Sequence, residues 1–587
     1  MLKIFKYLQK KEYLLIMFSL VFIVTQVYLD LKLPDYMHEI TMLVQTEGSK
    51  MSDVLLQGGY MLLCAVGSMI ASIIVGFFAA KVAAGFSVRL RAMVFEKTMS
   101  FSIEEINGFS TASLITRSTN DITQIQLLIA MGLQVIVKAP ILAVWAVFKI
   151  MGKSWQWSAA TGFAVLFLVF MLCILIFVAM PKFKIIQSLT DNLNRVTREN
   201  LSGIRVVHAY NASNYQEKKF EEANSALTNT NLFTSRAMAI MMPTMGIIMS
   251  GMGLAIYWIG AFLINGAAQT DKLSLFSDMI VFSSYAMQVI MAFMMLSFVF
   301  IMLPRASVSA KRIKEVLDTE ATIIDGNVIE GKTGLSGEIE FRNVSFKYPD
   351  AAQYILRNIS FTASKGETVA FIGSTGSGKS TLLNLIPRYF DATEGEVLVD
   401  GVNVKQYTQD SLRKKIGYVS QKAVLFSGTV TSNVAYGDNG EISENESVVK
   451  KAIDIAQGTE FVEKMEDQYN GAIAQGGTNI SGGQKQRLSI ARAVYREPEI
   501  YIFDDSFSAL DYKTDRVLRS ELKKETKDAT TLIVGQRIGT IKDADRIVVL
   551  NEGEVVGIGT HNELMQNCSV YQEIAYSQLS KEELEIG

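Results

Sequence analysis

Cysteine is almost missing from this chain. Cys64, Cys173 and Cys568 are the only three in 587 residues, two inside apolar runs and one near the C-terminus. That scatter supports neither a disulfide framework nor a zinc site. His38, His208 and His561 are equally scattered, which argues against a histidine-based metal centre. An excess of one charge is lacking too: 56 Lys and Arg offset 58 Asp and Glu, so nothing global points to nucleic acid. What is plentiful is apolar. Hydrophobic residues make up 49% and mean hydropathy is +0.24, which is high for a soluble protein. The length exceeds one compact domain, and the balanced composition conceals a split. Up to Pro304 the chain is a series of long apolar runs. From Arg305 onward it reads as a soluble α/β protein rich in glycine and charge.

Lys3, Lys6, Lys10 and Lys11 precede the first run, Tyr13–Tyr28. A signal peptide would have an apolar stretch of only ~7–15 residues followed by small residues at a cleavage site. This run is longer and no such site follows, so it reads as an uncleaved membrane helix. Runs of spanning length lie near Tyr13–Leu33, Val54–Ala84, Leu127–Phe148, Trp157–Met180, Met238–Ile264 and Leu273–Leu303. Each covers the roughly 20 residues a bilayer core requires, and a buried soluble helix does not explain six in series. Lys and Arg set the orientation. The N-terminus is basic, whereas the loop after the first run holds Asp35, Glu39, Glu47 and Asp53 against Lys50. The segment 81–126 carries Lys81, Arg89, Arg91, Lys97 and Arg117. The segment 181–237 carries Lys182, Lys184, Arg195, Arg198, Arg205, Lys218, Lys219 and Arg236. Both are read as cytoplasmic, with both termini; Lys149 and Lys153 in a short outside loop run mildly against the rule.

Leu114, Ile115, Ile122 and Ile125, then Val196, Leu201, Ile204 and Val207, recur at helical spacing in these two segments. The membrane helices are therefore expected to continue into the cytosol, turn near Gly108–Ser110 and Asn211–Tyr215 where they would meet the soluble domain, and return. Lys138 and Pro140 interrupt the third run. A lysine at that depth is either functional or paired within the bundle. The last two runs are rich in methionine (Met238, Met241, Met242, Met245, Met249 and Met252, then Met279, Met287, Met291, Met294, Met295 and Met302). Flexible thioethers suit a surface that accepts varied ligands, and they also fill gaps between helices.

In the soluble half, Gly373, Ser374, Thr375, Gly376, Ser377, Gly378, Lys379, Ser380 and Thr381 form a P-loop between the apolar strand Thr368–Ile372 and the helical Thr381–Ile386. Its backbone N–H groups can close around phosphate oxygens, Lys379 can reach the β and γ phosphates, and the Ser380 hydroxyl can hold Mg²⁺. Glu499–Asp504 is an apolar strand ending in an acid, a Walker B pattern whose Asp504 is expected in the Mg²⁺ shell. Between them, Ser481, Gly482, Gly483 and Gln484 open a second helix fit for an anion. A second phosphate-binding helix start in one chain suggests a nucleotide held between two domains.

With these motifs in order, the chain resembles an ATP-binding cassette exporter half-transporter over nearly its whole length. The implied fold is multidomain: a six-helix polytopic membrane domain of the type IV exporter kind, plus an α/β P-loop ATPase domain. The expected boundaries are a cytoplasmic segment 1–12, a membrane domain 13–304, a linker 305–335 and a cassette 336–587. The resemblance implies that Tyr348 stacks on adenine and that Gln421 is the Q-loop residue, touching Mg²⁺ beside Ser380 and Asp504. It makes Ile480, Ser481, Gly482, Gly483 and Gln484 the signature, with Ile480 replacing the usual Leu, and Ser508, Ala509, Leu510 and Asp511 the D-loop. Glu199–Val207 is similar to the stretch before the family's second coupling helix, and the turn near Asn211–Tyr215 is expected to reach the partner cassette.

Three departures stand out. Asp505 occupies the place of the family's catalytic Glu, Gln536 that of its switch His, and Gln475 with Gly476 that of a Glu and Arg before the signature. Asp is a methylene shorter, and ~1 Å of misplacement loses effective molarity. Gln cannot exchange a proton as His can. The pattern resembles the degenerate-site subunit of bacterial heterodimeric multidrug exporters. It implies an ATP- and Mg²⁺-dependent ATPase in the cell membrane, slow at its own site. It implies a second half-transporter with an intact Glu and His, completed by this chain's signature. Hydrophobic or amphipathic substrates are expected along the fifth and sixth membrane helices, near Phe276, Phe282, Tyr285, Phe293, Phe298 and Phe300. A dedicated lipid or peptide translocator and an ATP-gated channel or sensor are the alternatives.

Overall fold

The computed structural model describes residues 2–46, 48–151, 154–269, 271–349, 351–437 and 445–578. Glu47 and Lys153, named above for orientation, lie outside the described residues, as do the side chains of Lys3, Lys184, Phe298 and Phe300. The chain divides into two compact units. One holds Met1–Met99 with Thr111–Thr319, the other Ser100–Ser110 with Glu320–Gly587.

The first unit is helical. It contains α1 (Lys10–Gln45) and α2 (Met51–Met99). After the excursion of α3 (Ile103–Phe109) into the other unit, it continues with α4 (Thr111–Ser118), α5 (Asn120–Met151) and α6 (Trp155–Ser202). It ends with α7 (Ile204–Ala209), α8 (Ser213–Ala239), α9 (Met241–Gly266) and α10 (Lys272–Asp318). Six stretches among the described residues are long and apolar enough to cross a membrane, and each coincides with one of the six apolar runs. The helices outlast the runs: α2 has 49 residues and α6 has 48, longer than the ~20 a bilayer needs. Pro34, Pro140 and Pro181 are carried inside α1, α5 and α6. Pro243 instead falls in the first turn of α9, where its missing N–H costs nothing, and α8 and α9 break at Ile240. Ile248, Met252 and Ile256 of α9 pack with Trp157 of α6 and with Met279, Phe282 and Tyr285 of α10 in one core. The outer faces of α2 and α6 remain apolar and exposed (Leu55, Leu63, Ile73, Phe77; Phe163, Leu166, Phe170). Such faces match lipid, not water.

The second unit is built on two sheets. The strands are β1 (Ile339–Phe346), β2 (Leu356–Ala363), β3 (Thr368–Gly373), β4 (Glu394–Val399), β5 (Val402–Asn403), β6 (Ile416–Val419), β7 (Gly428–Thr429) and β8 (Ala472–Ile473). They are followed by β9 (Ile500–Asp504), β10 (Thr530–Val534), β11 (Arg546–Asn551) and β12 (Glu554–Gly559). A four-stranded antiparallel sheet runs β2-β1-β4-β5, and a six-stranded sheet runs β12-β11-β3-β10-β9-β6, parallel except for β12. Alternation along its strands separates two cores. Val369, Phe371, Ile500 and Ile502 face one; Ala370, Ile372, Tyr501 and Phe503 face the other. Parallel strands buried on both faces read as unbroken apolar runs, which is how Thr368–Ile372 and Ile500–Phe503 look in sequence. The helix α3 belongs to this unit, with Ile103 packed against the first core.

Candidate functional site

The P-loop joins β3 to the helix Lys379–Leu385. Gly376 and Gly378 have φ of 86° and 95°, a region costly for side-chain-bearing residues. At Gly378 a Cβ would also press within 2.6 Å of Leu356 Cδ2. These positions keep the loop's N–H groups uncovered at a helix N-terminus, which favours a phosphate. Lys379 Nζ lies over the loop, donating to the Gly373 and Ser374 carbonyls at 2.8 Å each and to Ser377 Oγ at 3.3 Å. Burial pushes its ammonium below the usual lysine value, opposed by the Asp505 and Asp504 carboxylates.

Ser380 Oγ donates to Asp504 Oδ1 at 2.8 Å, so the end of β9 and the P-loop helix meet. Burial pushes Asp504 above the usual carboxylate range, Ser380 pulls it back, and the neighbouring Asp505 charge adds to the rise. A hydroxyl and a carboxylate in contact are hard oxygen ligands of the kind Mg²⁺ takes alongside water and phosphate oxygens. The donor set therefore fits Mg²⁺ with a nucleotide. Tyr348 donates or accepts a 3.0 Å hydrogen bond with Thr381 Oγ1. Its ring is held edge-on by Phe346 and Phe390, with centroids 5.0 and 5.3 Å away. Tyr348, Thr381 and the P-loop thus stand together, as an adenine platform beside a phosphate cradle requires.

Asp505 follows β9 with φ 49°, a left-handed conformation that Asp enters more readily than most residues. It is 7% exposed. Two amides converge on one of its oxygens: Gln421 Nε2 at 3.1 Å and Gln536 Nε2 at 2.7 Å, both to Oδ2. Burial raises the Asp505 carboxyl, and the hydrogen bonds from Gln421, Ser508 and Gln536 oppose that. Gln421, Asp505 and Gln536, 84 and 31 residues apart from the acid, are therefore one constellation. Because the Gln421 amide nitrogen is committed to Asp505, its carbonyl oxygen is the atom suited to a cation. A cavity of about 210 Å³ opens beside them, lined by Asp505, Phe507, Ser508, Val534, Gly535, Gln536, Arg537 and Thr540.

The Ser481 turn is a separate place. Ser481 caps the helix Gly482–Tyr495 with a capping box: Gln484 N donates to Ser481 Oγ at 3.3 Å, and Ser481 N to Gln484 Oε1 at 2.9 Å. That helix buries Leu488, Ile490 and Val494 in one core, whereas the P-loop helix buries Leu382, Leu383 and Leu385 in the other. The six-stranded sheet lies between the cores, and no hydrogen bond joins Ser481 to the P-loop among the described residues. Ile480 packs against the second core. Gly476 has φ 67° and its carbonyl accepts from Lys485 Nζ at 2.9 Å. In the D-loop, Ser508 Oγ donates to the Asp505 carbonyl at 3.0 Å, Leu510 is buried, and Asp511 caps the helix Tyr512–Glu525 through Thr514 N at 3.0 Å.

In the helical unit Lys138 has a partner. Its Nζ lies 3.1 Å from Asp30 of α1, and Asp30 also bonds Ser68 of α2. Of the proposed substrate-facing residues, Phe282 and Tyr285 are fully buried, and Tyr285 donates to Asp35 at 2.5 Å; Phe276 and Met291 stay exposed. One contributor to the site has no signature in the local sequence. Gln578, at the end of the helix Ser569–Gln578, bonds the backbone on both sides of Arg537.

A family profile described as the ABC transporter transmembrane region matches residues 14–293, and one described as ABC transporter matches 356–508. The chain is similar to an uncharacterised ABC transporter ATP-binding protein of Mycobacterium tuberculosis, 40% identical over 89% of this chain and 87% of the relative. It is 30% identical to an ATP-dependent lipid A-core flippase of Pseudomonas aeruginosa, over 87% of this chain and 83% of that one. It is 31% identical to a multidrug resistance ABC transporter ATP-binding and permease protein of Lactococcus lactis, over 87% and 85%. Among solved structures, a bacterial Atm1-family ABC exporter with ATP bound superposes with a TM-score of 0.79 at 23% identity, covering 96% of this chain and 98% of that one.

Proposed function

The chain belongs to the ABC transporter family, with transmembrane region and ATPase domain in one polypeptide, and on that premise we propose that it is the degenerate-site subunit of a heterodimeric exporter of hydrophobic or amphipathic compounds. It is a membrane-embedded half-transporter whose ATP hydrolysis drives transport. The observation that carries the finer reading is the Asp505–Gln536 contact at 2.7 Å. Both amides meet the carboxylate as donors, and neither can accept and return a proton. Asp505 is left to orient water from a shorter arm. The residues that hold nucleotide (Tyr348, Lys379, Ser380, Asp504) keep their chemistry. Ser380, Asp504 and Gln421 would hold Mg²⁺, which when bound would supply charge neutralisation at the phosphates.

In this reading the partner half-transporter lends its signature to the P-loop here and receives Ser481, Gly482, Gly483 and Gln484 in return. The separation of the two phosphate-binding helix starts by the six-stranded sheet supports that exchange. The division into a cytoplasmic segment 1–12, a membrane domain 13–304, a linker 305–335 and a cassette 336–587, in the cell membrane with both termini inside, goes with it.

The varied-substrate reading rests on the thioethers and rings of α10 that remain exposed, Phe276 and Met291. A dedicated lipid translocator is the second reading, favoured by the resemblance to the flippase. Replacing Phe276 and Met291 by Ala in the assembled transporter is expected to shift the uptake profile of inverted vesicles by several-fold for some amphiphiles and not others. Basal ATPase should stay within about twofold. Stimulation by a single lipid, with every drug-like compound inert, would instead establish the dedicated translocator.

A further inference from the structure

Gln578 holds the backbone around the switch position from outside the site. Its Nε2 donates to the Gln536 carbonyl at 2.7 Å, and its Oε1 accepts from Ile538 N at 2.8 Å. Ile538 opens the short helix Ile538–Ile541, whose capping residue Arg537 makes no side-chain cap. That N–H therefore depends on a group from elsewhere, and the side chain of Gln578 meets the need. The arrangement follows from helix periodicity. Tyr571, Ala575 and Gln578 stand at i, i+4 and i+7, on one face. Tyr571 and Ala575 are fully buried in the same core as Ile538 and Ile541, so packing aims the third position at the switch. The far end of the helix is fixed by a 2.7 Å hydrogen bond between Tyr571 Oη and His561 Nδ1.

We propose that Gln578 is a positioning residue for ATP hydrolysis at this chain's own site, holding Gln536 against Asp505 so that the C-terminal helix is part of the catalytic unit. It touches neither Asp505 nor the P-loop. It acts through the backbone of residue 536, whose side-chain amide ends 2.7 Å from the carboxylate. The inference rests on the reading of Asp505 and Gln536 as this chain's hydrolytic positions. Gln578 itself is exposed, so water competes for both bonds and the effect is a few-fold in rate.

The test uses the full-length chain assembled with its partner in lipid, with the partner's catalytic Glu silenced so that residual hydrolysis comes from this chain's P-loop. Gln578→Met keeps the length and packing of the side chain and removes both hydrogen bonds. It is expected to lower kcat about twofold to fivefold, the rate equivalent of a solvent-exposed hydrogen bond, with KM for ATP unchanged. Gln572→Met, on the same helix but bonded to Met565, should change nothing. In a Gln536→Ala background the Gln578→Met effect should vanish, because the residue it acts through is gone. A full, additive loss in that background, or an unchanged kcat in Gln578→Met while Gln536→Ala is slow, overturns the positioning role and leaves the reading of the site intact. No effect from Gln536→Ala itself overturns both.

Discussion

At the scale of single residues, the nucleotide site divides into groups that hold and groups that react. In the proposed site Lys379 and Tyr348 are the groups that hold. Lys379 carries a positive charge over the loop, and burial pushes its ammonium below the usual lysine value. Tyr348 offers a ring already fixed by Phe346, Phe390 and Thr381, so little ordering is left for adenine to impose. Lys379→Ala is expected to weaken ATP at this chain's P-loop by at least tenfold, and Tyr348→Ala by ~1–3 kcal/mol, the worth of a base–aromatic stack. Tyr348→Phe, which keeps the ring and loses only the Thr381 hydrogen bond, should cost less than about 1 kcal/mol. Equilibrium binding of a fluorescent ATP analogue measures all of these, and unchanged affinity in Lys379→Ala and Tyr348→Ala together would dismiss the site.

At the scale of elements, α3 stands out because it lies within the soluble unit although the chain around it is membrane helix. Its seven residues are too few to be stable alone, so caps and packing must hold it. Ser102 and Glu105 form a capping box, and Glu105 also accepts from Thr322 N at 3.0 Å, just beyond the end of α10. Burial pushes the Glu105 carboxyl up, but the hydrogen bonds from Ser102 and Thr322 outweigh it and leave it below the usual glutamate range. A depressed carboxyl stabilises the fold above its unfolded pKa, near 4.5, and loses that contribution as pH falls through the lower folded value. Glu105→Ala should therefore cost about 1–2 kcal/mol at neutral pH, and the gap to wild type should narrow below about pH 4. Thermal unfolding of the detergent-solubilised chain at two pH values reads this directly; a gap that widens in acid would be incompatible with the clamp. The apolar runs foretold the six spans because length and hydropathy are local properties. The turn near Gly108–Ser110 was likewise visible as the far end of the first helical extension. Its place with the soluble unit agrees with the expectation that the turn meets that domain; the tie of Glu105 to Thr322, 217 residues away, was not legible. The same holds for Lys138, whose partner Asp30 is chosen by how α1 meets α5, and for Gln578, an ordinary glutamine until the fold sets it beside Gln536. The P-loop, Walker B strand and Ser481 cap were legible because each is a contiguous strand–turn–helix signal whose backbone chemistry is written in consecutive residues.

At the scale of the whole molecule, what matters is which nucleotide each altered residue serves. Asp505 and Gln536 lie with Gln421 around the P-loop of their own chain. Ser481 caps a helix packed on the other side of the six-stranded sheet, which in the proposed exchange serves a nucleotide that this P-loop does not hold. On the proposed assembly, two independent sets of substitutions then act on two different sites. Purified alone, the chain should bind ATP and turn it over very slowly; with its partner it should form a complex with one slow and one fast site. In the reconstituted pair that this proposal predicts, Asp505→Ala would remove an acid from the slow site and should lower steady-state ATPase by less than about threefold. Under the same proposal Ser481→Ala would strip a hydroxyl from the fast site while leaving this chain's own P-loop untouched, and should cost roughly tenfold or more. Ser481→Thr, which retains a capping oxygen, should lie between the two and separates lost chemistry from a frayed helix. Removing the partner's catalytic Glu should nearly abolish turnover. Restoring the local pair by Asp505→Glu with Gln536→His should raise the rate only modestly, because the partner's signature also governs that site. The division of labour fails if Asp505→Ala is the crippling change while the Ser481 variants hydrolyse ATP at close to the normal rate.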